Sequence, residues 1–125
     1  MLRSYRELQV WQRAIQLAVA VYRLAAAFPR DETYGLSSQM KRASVSIASN
    51  IAEGYGRLTA GEYRQFLGMA RGSNLELQTQ FEIARALGMG DSKLIQMTDD
   101  LSQEVSKMLY AMLSKRGSAM QGRCV

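Results

Sequence analysis

Histidine is absent from the 125 residues of this chain, and proline, cysteine and tryptophan occur once each. The first absence bears on chemistry. Without histidine the chain lacks the commonest general base, the usual partner that activates a serine, and the commonest metal ligand. The Glu-x-x-His pairs of dimetal carboxylate bundles cannot occur. The carboxylates of Glu53, Glu62, Glu76 and Glu82 are sparse and matched by nearby arginines. The lone Cys124 rules out an internal disulfide and a thiolate metal site, and reads as an incidental thiol in a polar tail. Long apolar runs are missing too. No stretch approaches the roughly 18 or more continuous apolar residues of a membrane span, and the opening Met1-Leu2-Arg3-Ser4-Tyr5-Arg6-Glu7 has no signal-peptide core. Gly54-Tyr55-Gly56 follows no strand and precedes no Gly-Lys-Ser or Gly-Lys-Thr, so it is not a phosphate loop. The expectation is a cytoplasmic protein with no catalytic residues, no metal, no cofactor and no enzymatic activity.

What remains is helical. Hydrophobic residues make up 47% of the chain and charged ones 22%, an ordinary globular balance rather than a disordered one. One domain is expected over residues 1–117, followed by a flexible C-terminal tail at 118–125. A first helix is predicted from Leu8 to Phe28, with Trp11, Ala14, Ile15, Ala18, Val21, Tyr22, Ala25 and Phe28 as its apolar stripe. Pro29 ends it. A second runs from about Leu36 to Glu53 on Leu36, Met40, Ala43, Ile47 and Ile51, widened by Val45 and Ala48. Its many serines suggest close approach of a neighbouring helix. Gly54 and Gly56 are expected to stop it in left-handed conformations.

Thr59 and Glu62 fit a capping box that opens a third helix reaching Leu87. Its stripe is Tyr63, Phe66, Leu67, Ala70, Ser73, Leu77, Phe81 and Ala84, with Gly72 read as a close crossing point. Asp91 or Ser92 caps a fourth helix on Leu94, Met97, Leu101, Val105, Met108, Met112 and Leu113, ending near Lys115-Arg116-Gly117. Four such helices joined by short turns predict an all-α, antiparallel, up-down-up-down four-helix bundle. Tyr5, Tyr55 and Met69 are expected at the surface, where they favour self-assembly.

Two sets of residues are candidates for function. The polar side of the second and third helices carries Asn50, Glu53, Ser73 and Glu76, with Arg42 two turns before Asn50. Three readings are open for them: an interhelical network that fixes register, a recognition site, or a plain solvated face. The net charge of +5 comes from scattered basic residues. Lys41, Arg42, Arg57, Arg64 and Arg71 are the candidate contacts for RNA or DNA, with Tyr55 and Tyr63 placed to stack on bases. A solubilising basic surface is the equally open alternative.

Several stretches together carry a family resemblance. They are Leu8-Gln9-Val10-Trp11-Gln12-Arg13-Ala14, Phe28-Pro29 with Glu32-Thr33-Tyr34-Gly35-Leu36, the segment from Gln39 through Asn50-Ile51-Ala52-Glu53-Gly54 to Arg57, and Gly72-Ser73-Asn74-Leu75-Glu76-Leu77. Over about residues 5–115 the chain resembles the 23S rRNA intervening-sequence proteins, also called S23 ribosomal protein-like. The resemblance implies a four-helix bundle assembled as a homopentamer with a central channel. It is similar in fold to the accessory variability determinant proteins of diversity-generating retroelements, which are pentameric, basic and bind nucleic acid and a reverse transcriptase. The polar residues that match the pattern are Arg42, Asn50, Glu53, Arg57, Ser73 and Glu76, while Lys41 stands where arginine is common. The functional expectation is therefore a non-enzymatic pentameric scaffold that binds nucleic acid through a distributed basic surface. The alternative is a purely structural or protein-binding oligomer without nucleic-acid affinity.

Overall fold

A computed structural model describes residues 2–32 and 35–114 of the chain. Among these residues the regular structure is entirely helical: α1 (Gln9–Ala26), α2 (Leu36–Tyr55), α3 (Ala60–Ala86) and α4 (Ser92–Ser114), with 3₁₀ turns at Tyr5–Glu7 and Arg30–Glu32. α1 packs on α2 and α4, and α3 packs on the same two helices, most extensively on α2. α1 and α3 therefore stand diagonally across a four-helix bundle. The expected end of the last helix at Lys115-Arg116-Gly117 and the tail at 118–125 lie outside the described residues.

α3 and α4 open on side-chain caps. Thr59 Oγ1 accepts the Glu62 amide at 3.1 Å and opens α3. The return bond of the capping box, from the Thr59 amide to Glu62, is not made. Asp91 Oδ1 accepts the Lys93 amide at 2.8 Å and caps α4. The turn before it needs two glycines in the left-handed region, Gly88 at φ 66° and Gly90 at φ 78°. Gly90 also lies so close to Phe28 that an added Cβ would come within 2.7 Å of the ring.

The core departs from the expected stripes in one consistent way. On α1 the buried set is Val10, Ala14, Leu17, Val21, Leu24 and Ala25, while Ile15 and Tyr22 face solvent. α1 is apolar around more than one face, so two stripes satisfy three- and four-residue spacing and periodicity alone cannot choose between them. On α4, Ile95 and Leu109 are buried whereas Leu94 and Met97 are exposed. On α2, Val45 is exposed and Ser44 fully buried, its hydroxyl donating to the Lys41 carbonyl at 2.8 Å. Back-bonding lets a small polar residue take a core position.

The glycines also require correction. Gly54 does not end α2; it lies inside the helix, and Gly56 caps it at φ −81°, so neither is left-handed. A Cβ at Gly54 would approach Phe66 Cβ to 3.0 Å and the Tyr63 carbonyl to 3.3 Å. Gly54 is the close crossing point of α2 and α3. Gly72 is not one, for an added Cβ there would meet nothing within 4 Å.

Candidate functional site

The polar residues of α2 and α3 meet at a hydroxyl pair. Ser46 Oγ and Ser73 Oγ lie 2.9 Å apart, joining the helices at mid-length. Asn50, one turn on, donates through Nδ2 to the Ser46 carbonyl and to Ser46 Oγ, both at 2.9 Å. Arg42 and Glu76 flank the same pair, and with Gln39, Ala43, Ser46 and Ser73 they wall a polar cleft of about 330 Å³. Thus Arg42, Asn50, Ser73 and Glu76 share one stretch of the α2–α3 seam, and Ser46 is the member that sequence reasoning passed over. Glu53 stands apart from them. Its carboxylate accepts from Arg57 at 2.8 Å, the pairing expected at one-turn spacing. It lines a separate open cleft with Tyr5, Ser49, Ala52 and Gly56.

The candidate nucleic-acid contacts do not form one patch. Lys41 Nζ sits 5.2 Å from the centroid of the Tyr22 ring, on the α1 side of α2. Arg42 lies in the α2–α3 cleft. Arg57, besides its bond to Glu53, lies 4.5 Å from the Phe66 ring centroid. Arg71 is exposed on α3, and Arg64 is half-buried and engaged with a partner. Tyr55 is poorly placed for stacking: it is half-buried against the core, and its hydroxyl donates to the Leu2 carbonyl at 3.1 Å. Tyr63 also packs half-buried against the core. Tyr5 is half-buried as well, its ring edge-on to Trp11 at 5.2 Å. Of the three residues expected at the surface, Met69 alone is truly exposed.

The densest polar network lies elsewhere, between α3 and α4. Asn74, fully buried, donates to the Ser102 carbonyl at 2.9 Å and to Ser106 Oγ at 3.0 Å, and accepts from Ser102 Oγ at 2.7 Å. Gln78 adds bonds to both serines at 3.0 and 3.1 Å. The signal for it was present: Asn74 and Gln78 are one helical turn apart, as are Ser102 and Ser106. Nearer the α3–α4 turn, Arg85 donates to Asp99 at 2.9 Å, Glu82 at 2.7 Å and Gln96 at 3.1 Å. The Asp99 hydrogen bond is the main cause that holds the Arg85 guanidinium above its ordinary pKa. Both clusters are internally satisfied and join helices; neither presents a reacting group to a cleft. Among the described residues no three His, Cys, Asp or Glu side chains gather in a way that could hold a metal ion.

A third feature is apolar. Ile15, Val19 and Tyr22 on α1 and Val45 on α2 are 37%, 44%, 47% and 44% exposed. Ala18, Val19, Tyr22, Arg23, Ala26 and Val45 line a shallow groove of about 540 Å³. Among the described residues no helix is long and apolar enough to cross a membrane, so this surface is not a bilayer span.

These observations define an all-α four-helix bundle whose densest polar networks join neighbouring helices. Comparison with known proteins takes this class to a family. The model of the 23S rRNA-intervening sequence protein family matches residues 6–111, and the chain belongs to that family. A solved structure from Bacteroides thetaiotaomicron VPI-5482, a protein of unknown function from the S23 ribosomal protein family, superposes with a TM-score of 0.74 at 19% sequence identity. The match covers 85% of this chain and 99% of that one. No curated protein matches.

Proposed function

We propose that the protein is a non-enzymatic, homo-oligomeric helical scaffold of the cytoplasm, pentameric as its family resemblance implies. The observation that carries this reading is the exposed apolar groove lined by Ala18, Val19, Tyr22 and Val45. Singly scattered surface hydrophobics need no explanation, but a contiguous cluster on two adjacent helices marks an interaction surface. Light scattering is expected to report a multimer. Glutamate at both Tyr22 and Val45 should yield a monomer with unchanged helical circular dichroism, because these side chains contribute little to the bundle's own core. A wild-type monomer at micromolar concentration would refute the scaffold reading.

A second reading gives the assembled scaffold a nucleic-acid partner. It is favoured by Arg42 and Arg71, exposed cations on the two helices of the polar seam, and by the net charge of +5. Repetition around an oligomer would multiply a footprint that is small on one subunit. It is weakened by the engagement of Arg57 and Lys41 within the chain. Where nucleic acid is not retained at physiological salt, the scaffold is a structural or protein-binding assembly instead.

A further inference from the structure

We infer that copies of this chain pack head to tail, the groove between α1 and α2 of one copy receiving the outer face of α3 of the next. This rests on the oligomeric reading above and adds which surfaces meet. The groove is apolar at its floor and cationic at its margin: Arg23 lines it, and Lys41 lies over the Tyr22 ring. A like-with-like contact would set these cations against their own copies, so the groove calls for a different surface as partner.

The outer face of α3 has the complementary character. Met69, Leu75 and Ile83 are exposed there. At about 100° per residue they fall, with Gly72, Glu76 and Thr79, within roughly a third of the helix circumference. Among the described residues neither Glu76 nor Arg23 forms an ion pair, which leaves each open to the other across an interface. Within the bundle Gly72 has no packing reason: nothing lies within 4 Å of the position a Cβ would take. A mid-helix glycine weakens a helix relative to alanine. Bare backbone between Met69 and Leu75 gives a flat bed for a broad ring such as Tyr22 of the neighbour.

α1 and α3 stand diagonally, so groove and ridge are separate surfaces of one subunit and can both be occupied at once. Such a heterologous contact generates a ring or an open chain, not an isolated dimer.

Crosslinking tests this in the full chain with Cys124→Ser as background. Val19→Cys and Thr79→Cys, both at exposed positions and the second leaving Gly72 bare, are made singly and together and treated with a short bis-maleimide. The double variant is expected to give a ladder of covalent multimers, each single variant only monomer. Dimers from Val19→Cys alone would overturn the inference in favour of a groove-to-groove contact. A multimer by light scattering without crosslinks in the double variant would overturn the pairing of faces while leaving the oligomeric reading intact; a wild-type monomer would overturn both. A charge exchange provides a second readout. Arg23→Glu and Glu76→Arg should each raise the dissociation concentration about tenfold or more, and the two together should restore it at least in part. Additive weakening in the combined variant would count against the contact.

Discussion

Asn74 and Ser102 hold each other reciprocally: the amide nitrogen donates to the serine carbonyl at 2.9 Å, and the serine hydroxyl donates to the amide oxygen at 2.7 Å. Both residues are fully buried, so each leaves water completely on folding. Removing Asn74 takes the acceptor from the Ser102 hydroxyl, while Gln78 still donates to both serines. Asn74→Ala is expected to cost about 2–4 kcal/mol, more than one net hydrogen bond, because the buried Ser102 loses the donor to its carbonyl and the acceptor of its hydroxyl together. Urea unfolding checks it: the midpoint should fall with little change in slope. Ser106→Ala, which leaves the reciprocal pair intact, should cost distinctly less.

Two glycines should be intolerant for different reasons. Gly90→Ala meets both a left-handed backbone and the Phe28 ring at 2.7 Å. Gly54→Ala keeps ordinary helical dihedrals and meets only the tight approach of Phe66 and Tyr63. Losses of about 2–4 and 1–3 kcal/mol follow, respectively, measured by chemical denaturation. Equal tolerance at Gly54 and at an open position would disprove the close crossing.

The reassigned core of α1 can be tested at neighbouring positions. Leu17 is fully buried and Ile15 is 37% exposed. Leu17→Ala should therefore destabilise the subunit by about 2–5 kcal/mol, whereas Ile15→Ala should cost well under half of that when assembly is diluted away. The reverse order would restore the stripe expected from periodicity.

Arg85→Ala leaves Asp99 nearly buried without its charged donor. A loss of about 1.5–3 kcal/mol is expected, somewhat moderated because the Arg85 side chain is 29% exposed. The sign of the pH dependence follows from the raised pKa of the guanidinium. A cation whose folded pKa lies above its unfolded value contributes fully below the unfolded value and loses that contribution only as pH rises through the folded one. The guanidinium's own titration should thus leave stability flat through the neutral range and matter only in strong alkali. Thermal melts of wild type and variant between pH 6 and 9 provide the measurement, at roughly constant separation.

For nucleic acid, retention of RNA or DNA on the wild-type oligomer should fall steeply with salt, and glutamate at Arg42 and Arg71 together should weaken it and flatten the slope. Binding that ignores both changes would remove the basic surface from the account.

Helix number, the cap at Thr59, the Glu53–Arg57 pair and the bundle class were legible from residue order, because capping, one-turn spacing and glycine punctuation act within a few residues of chain. The polar seam was legible in part. Ser73 and Asn50 were identifiable as unusual polar residues, but Ser46, the hydroxyl that joins them, was one of many serines on α2. Helix 1 shows the limit most plainly. Its two apolar stripes are equivalent in period, and only the positions of α2 and α4 bury Leu17 and leave Tyr22 outside. The same holds for the glycines: local preference suggested a chain reversal at Gly54, and the approach of Phe66 decided otherwise. Sequence by itself determined where helices run and which residue types they lack. Which face of each is core, and which apolar residues are left exposed, depends on contacts between residues far apart in the chain, and only the tertiary structure decided it.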